Sequence, residues 1–342
     1  MTVFLLLLLS QLTFVSAQQA SSNRAYPPNG KLVDVGGYRL HINSTGKRNP
    51  TVVLIAGAGD FSFDWNLVQP AVSKFARVSS YDRAGLAWSD LGPTPRTMRQ
   101  DAYELHLLLK KARLKAPYVL VGHSIGGLIA RVYAEQYPQE VAGMILVDST
   151  TEDTTLSYQG KLVRMRETAK GKAVPTVQTM ASSPPKSPTE DDRKQAELNR
   201  QVFGAPKIKA PFDKLPLQVQ QTWLWALNNP KLSAATDDYF AEELQAISVA
   251  RSQKPHTLGN IPLVVLVAGK NKTPDGISPE EWKQLMEEKR KQKTELANLS
   301  LNSKVIIAEK GGHHIQLDES DLVVSAIRQV VEAVRTRSKL AR

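Results

Sequence analysis

Tyr118-Val119-Leu120-Val121-Gly122-His123-Ser124-Ile125-Gly126-Gly127 is the stretch that decides the fold. Four apolar residues run into a glycine, and a serine then stands at the spacing Gly122-x-Ser124-x-Gly126. Residues 126–137 follow with a helical pattern that stops at Tyr137-Pro138. A continuous apolar run belongs to a strand buried on both faces, because a half-exposed strand would alternate. Strand, sharp turn and helix in succession push the Ser124 hydroxyl out at the carboxyl end of the strand, where open α/β sheets place their ligands. The flanking glycines let other backbone pass close to the turn. The N-terminus of the following helix favours negative charge that develops beside the serine.

The same strand signature recurs on either side. Upstream, Leu32-Val33-Asp34-Val35, the turn Gly36-Gly37 and Tyr38 to Ile42 read as a hairpin. Thr51 to Ala56 is an apolar run closed by Gly57-Ala58-Gly59, and Arg77 to Tyr81 is a strand ending at Asp82. Downstream come Met144 to Val147 ending at Asp148, then Leu263 to Val267, then Lys304 to Ala308. Helical patterns cover 64–76, 97–113, 279–298 and 319–337, and Asp318 reads as the cap of the last one. Strands alternating with helices predict a doubly wound, mostly parallel α/β sheet. Residues 151–258 break the rhythm: they carry no buried-strand run and show helical patterns around Trp223, Trp225, Leu227 and Leu244. We read them as a helical cap inserted into a core made of 31–150 and 259–342. Trp223, Trp225, Tyr239 and Phe240 are the candidates there to line an apolar pocket or to form the cap's own core.

Four features, in order, resemble the α/β-hydrolase family. Ala56-Gly57-Ala58-Gly59 stands where that family has a His-Gly turn after its third strand, with Ala56 in place of the histidine. Tyr81 to Ser89 is similar to its aspartate-arginine-x-glycine segment, Gly122 to Gly127 to its nucleophile elbow, and Gly312-His313 to the glycine-histidine after its last strand. The resemblance spans most of 31–337 and implies the α/β-hydrolase fold with a serine nucleophile, Ser124. It also implies an oxyanion hole from the backbone N–H groups of Ala58 and Ile125.

Of six histidines, His41 and His106 read as structural, His123 flanks the serine but is directed elsewhere by the turn, and His256 lies in the cap. Only His313 and His314 follow the last buried strand, where a loop can return to the serine. The family match selects His313 as the base, with His314 as the alternative. The family places the acid after the sixth or the seventh strand, which leaves Asp148 and Asp275. A carboxylate on a rigid strand end holds an imidazole better than one in a polar loop, so Asp148 is preferred and Asp275 is the alternative. Asp82 reads as ordering a loop beside Arg83.

Serine, acid and histidine in this order imply acyl transfer to water, with a small-molecule carboxylic ester as substrate and with neither metal nor organic cofactor. Haloalkane dehalogenases and epoxide hydrolases on this scaffold use an aspartate nucleophile, and Ser124 argues against both. A C–C hydrolase, a cofactor-free haloperoxidase, a peptidase and a catalytically silent ligand-binding member are the alternatives. The net charge of +11 predicts weak association with anionic surfaces, and no zinc-finger or RNP-like pattern points to nucleic acid. There is no cysteine, so disulfides and thiolate metal sites are excluded. Phe4 to Val15 is an apolar segment followed by Val15-Ser16-Ala17, the pattern of a secretory signal peptide over 1–17 cleaved after Ala17, with 18–30 as a linker. An uncleaved anchor is the alternative, but the run falls short of the ~20 apolar residues of a spanning helix. Secretion or export to the periplasm is therefore expected.

Overall fold

The computed structural model describes residues 26–152, 154–158, 161–164, 187–235, 240–253, 256–273 and 276–341. The expected signal peptide, Tyr239 and Asp275 lie outside the described residues. No described helix is long and apolar enough to cross a membrane.

In chain order the elements are β1 (Lys31–Asp34), β2 (Arg39–Thr45), β3 (Thr51–Ile55), α1 (Gln69–Ser73), β4 (Arg77–Tyr81), α2 (Met98–Lys111), β5 (Tyr118–His123), α3 (Ile125–Gln136) and β6 (Val141–Val147). The insertion follows, with β7 (Thr155–Tyr158), β8 (Lys161–Arg164), α4 (Glu190–Phe203), α5 (Leu217–Leu227), α6 (Lys231–Ala234) and α7 (Phe240–Gln253). The chain then closes with β9 (Leu263–Ala268), α8 (Pro279–Glu295), β10 (Ser303–Ala308), α9 (Ile315–Asp318) and α10 (Ser320–Thr336).

Eight strands form one sheet in the order β1-β2-β4-β3-β5-β6-β9-β10, antiparallel at β1–β2 and β2–β4 and parallel elsewhere. Strand alternation divides the apolar residues between two cores. Leu120, Leu146 and Val265 face α2 and α3, whereas Val121, Ile145 and Leu266 face α1 and α10. On α10, Val323, Ala326, Ile327, Val330 and Val331 recur at helical spacing and are all buried.

Two expectations differ in detail. The helix predicted over 64–76 is a 3-10 turn, Ser62–Trp65, followed by the short α1 with Pro70 in its first turn. Proline lacks an N–H and clashes with the preceding turn, so a helix can begin there but cannot run through it. The insertion also carries an antiparallel hairpin, with Thr155 opposite Arg164 and Tyr158 opposite Lys161. Strands this short leave no buried run to read. Polar contacts dock the insertion on the core: Glu243 accepts from Met98 N at 2.6 Å, and Lys231 Nζ donates to Ser89 O at 2.6 Å.

The turn after β5 tolerates no side chain at Gly122. A Cβ there would lie 2.3 Å from Gly126 O and 2.5 Å from Gly127 Cα, both backbone atoms. Gly122→Ala is expected to cost at least about 1–3 kcal/mol of unfolding free energy. Urea denaturation followed by circular dichroism checks this, and an unchanged midpoint would contradict the packing described.

Candidate active site

Parallel pairing sets the carboxyl ends of four strands at one level. Ile55 pairs with Gly122, His123 with Val147, and Val147 with Leu266. The residues that follow β3, β5 and β6 therefore emerge side by side: Ala56 to Gly59, Ser124 and Asp148. Ser124 has φ +54° and ψ −123°, a conformation costly for an L-residue and held by its surroundings. Its N–H donates to Val147 O at 3.1 Å, and its carbonyl accepts from Gly127 N and Thr150 N, each at 3.0 Å. Gly126 has no room for a Cβ, which would come within 2.3 Å of Ile55 O. The end of β3 can thus lie against the start of α3.

Asp148, only 2% exposed, is likewise in the left-handed region, with φ +43°. Oδ1 accepts from Ala268 N at 3.0 Å. Oδ2 meets His313 Nδ1 at 2.7 Å and Lys293 Nζ at 2.6 Å. Burial by itself would raise the Asp148 carboxyl, but the Lys293 ammonium and the His313 hydrogen bond outweigh it and hold the group well below the ordinary carboxylate range. With Nδ1 donating to a carboxylate, Nε2 of His313 is left with a lone pair. Burial pulls His313 down to about 4, helped by the charges of His123 and Lys293 and opposed by Asp148. The side chain is nonetheless 49% exposed to the cavity, so solvent offsets part of that penalty.

Ser124, His313 and Asp148 share a cavity of about 560 Å³ with Ala58 and Ile125. Among the described residues no hydrogen bond joins Ser124 Oγ to the His313 ring; such bonds often tighten only in the substrate complex. The Ala58 loop lacks the family's histidine, and Arg83 holds it instead. Its guanidinium donates to Ala56 O at 2.7 Å and to Gly57 O at 2.8 Å. His123 ties the same loop to the His313 loop: Nδ1 meets Asp60 Oδ2 at 2.9 Å, and Nε2 meets the His313 carbonyl at 2.9 Å. Both ring nitrogens thus face acceptors. Burial opposes ionisation of Asp60, and His123 and His314 outweigh it. Asp60, His123 and His314 bring ligand atoms within 4.8 Å of one another, the spacing of a metal site. However, both His123 nitrogens are already engaged, so this set reads as a hydrogen-bonded brace.

Comparison with known proteins agrees with this architecture. The family model described as "alpha/beta hydrolase fold" matches residues 50–320. The chain belongs to the α/β-hydrolase fold family. It is similar to an esterase from Thermogutta terrifontis, with 22% identity, a TM-score of 0.57 and coverage of 87% of this chain and 94% of that one. It is also similar to the epoxide hydrolase CorEH, with 16% identity, a TM-score of 0.58 and coverage of 89% and 98%. At these identities the likeness speaks for fold alone. A Hormonema carpetanum protein named "Probable transporter efuK" is 36% identical over 131 residues, which are 36% of this chain and 19% of that protein.

The remaining predicted residues in this α/β-hydrolase fall as follows. His41 is buried and bonded to Asp82 at 2.8 Å, and His106 sits 3.1 Å from Glu140. His314 lies 3.7 Å from Asp60, away from Asp148. Asp318 does not cap α10, whose N-cap is Glu319. It instead accepts from Gly312 N at 2.9 Å and pairs with Lys214, so it fixes the loop that carries His313. Phe240 lines the cavity, whereas Trp223 and Trp225 pack with Phe61, Phe63 and Trp88. The sequence offered no sign of Lys293, which sits in α8 among cations that look alike in sequence.

Because burial and Lys293 both lower His313, its protonation midpoint is expected between about 4 and the ordinary 6.5. The neutral ring then prevails above that midpoint and is lost as pH falls through it. In Lys293→Met one depressing charge is gone and Asp148 attracts the proton more strongly, so the midpoint rises. NMR titration of His313 in both proteins checks the direction, and a fall would exclude the assigned cause.

Proposed function

We propose that this α/β-hydrolase is a serine hydrolase that cleaves a carboxylic ester through an acyl-enzyme. The observation that carries the proposal is the meeting, in one cavity, of Ser124, the His313–Asp148 pair and the Ala58 and Ile125 backbone. Each group has a role that follows from its position. His313 Nε2 takes the Ser124 proton as Oγ attacks the ester carbonyl. Asp148 keeps the other proton on Nδ1 and stabilises the imidazolium that forms. The tetrahedral oxyanion accepts from the N–H of Ala58, in the loop after β3, and from that of Ile125 at the N-terminus of α3, where the helix dipole adds positive potential. The intermediate collapses, the C–O bond to the alcohol breaks, and His313 returns the proton to that oxygen. Water, deprotonated by His313, then attacks the acyl-serine, and the acid leaves with Oγ reprotonated. Arg83 acts as a positioning residue, since it holds the loop that presents Ala58.

CorEH shares the scaffold, but epoxide hydrolases on this fold use an aspartate nucleophile, and this chain has Ser124 at the elbow. The apolar segment over Phe4 to Val15, followed by Val15-Ser16-Ala17, extends the proposal to an exported enzyme whose mature chain starts at Gln18.

Hydrolysis of p-nitrophenyl esters is expected from the wild type and not from Ser124→Ala. Asp148→Asn is expected to lower kcat about 10⁴-fold, the loss seen when a triad imidazole is left in the wrong tautomer. Arg83→Met is expected to lower kcat more than it raises KM. A fluorophosphonate that fails to label Ser124, together with an inert wild type, would overturn the mechanism. Sequencing the N-terminus of exported protein checks the predicted start at Gln18.

A further inference from the structure

The wall of this cavity is cationic in a way that hydrolysis of a neutral ester does not call for. One face of α8 turns to it, and Trp282, Met286, Lys289, Arg290 and Lys293 recur there at helical spacing. The loop after β9 adds Lys270 and Lys272. Among the described residues that line the cavity the sole carboxylate is Asp148, and it is already shared by His313 and Lys293. Lys289 is half-buried and forms no ion pair among the described residues. Burial and the adjacent Lys293 lower its ammonium to about 8, and Asp148 offsets this only in part. A half-buried ammonium beside a second ammonium costs stability in the resting protein, and an incoming anion would relieve that cost. The exposed Arg290, Lys270 and Lys272 continue the positive potential to the mouth, where a cleft lined by one sign of charge concentrates the opposite one.

We propose that this cavity selects esters that carry a second, anionic group, bound by Lys289 with Arg290 while the ester carbonyl lies at Ser124. The inference rests on the serine hydrolase reading for the chemistry, but the anion subsite stands on the cavity wall alone. The anionic group is a carboxylate or a phosphate. A cavity of about 560 Å³ holds a small substrate of that kind together with its acyl chain.

The test compares mono-p-nitrophenyl adipate with p-nitrophenyl hexanoate, which share acyl length and leaving group and differ in one carboxylate. The ratio of their kcat/KM values is expected to exceed one. It should fall about tenfold or more in Lys289→Met/Arg290→Met, the scale on which a focusing cleft acts. It should also fall as salt rises from about 50 to about 500 mM, and Lys289→Arg should retain most of it. A ratio at or below one that neither the variant nor salt moves would overturn the proposal. Calorimetry on Ser124→Ala with adipate and with inorganic phosphate separates the two readings. If neither ester is cleaved and no fluorophosphonate labels Ser124, the hydrolase reading fails, and anion binding that is lost in the Lys289→Met background still supports the subsite. Binding of neither probe overturns the subsite whatever the activity. The tighter of the two probes identifies the group.

Discussion

The Asp148 carboxylate is the point at which fold and site are joined. Oδ1 accepts the Ala268 N–H and so fastens the end of β6 to the end of β9, while Oδ2 receives both His313 and Lys293. Four strand ends must stand level for these contacts to form together, and the parallel register from Ile55 through Leu266 sets that level. The strained backbone at Ser124 and Asp148 persists because the sheet beneath both residues over-determines it. Loss of register would relax the strain and separate the groups at once.

In the proposed triad, Lys293 complicates the usual division of work between acid and base. Its ammonium stabilises the ionised Asp148, which favours the tautomer with the Nε2 lone pair free. The same charge also lowers the proton affinity of His313. A weaker base takes a serine proton less readily, yet it remains neutral at lower pH. A substrate anion near Lys289 would act in the opposite sense by reducing the positive potential around the imidazole. If the proposed subsite holds a substrate anion, substrate charge and base strength are coupled through one helix face.

What the sequence disclosed follows from how strongly each feature is written. Buried parallel strands are continuous apolar runs, so β3, β5, β6 and β9 could be read directly, and the elbow at Ser124 came with them. Asp148 was preferred to Asp275 because it closes such a run, and Asp275 lies outside the described residues. The Ala56 substitution was visible, but its remedy was not: Arg83 reaches the loop from another strand end, a contact that no local pattern records. Pro70 was a legible break within the helix expected over 64–76. Asp318 resembled a cap in sequence, and its real partner, Gly312, became its neighbour only through the turn of the chain.

The basic surplus shows the same limit from another side. Summed over the chain, +11 says only that anions are attracted, and a solvated face is the ordinary explanation. Placement changes its meaning. Charges on an open surface are screened within about 10 Å by salt, whereas those along a cavity wall with apolar neighbours are screened much less. Lys289 and Lys293, one helical turn apart, lie on such a wall beside Trp282 and Met286. Lys283 and Lys291 belong to the same helix but do not line the cavity. Identical residue types thus carry different consequences, and what decides between them is which face of α8 the β9 crossover turns toward Ser124.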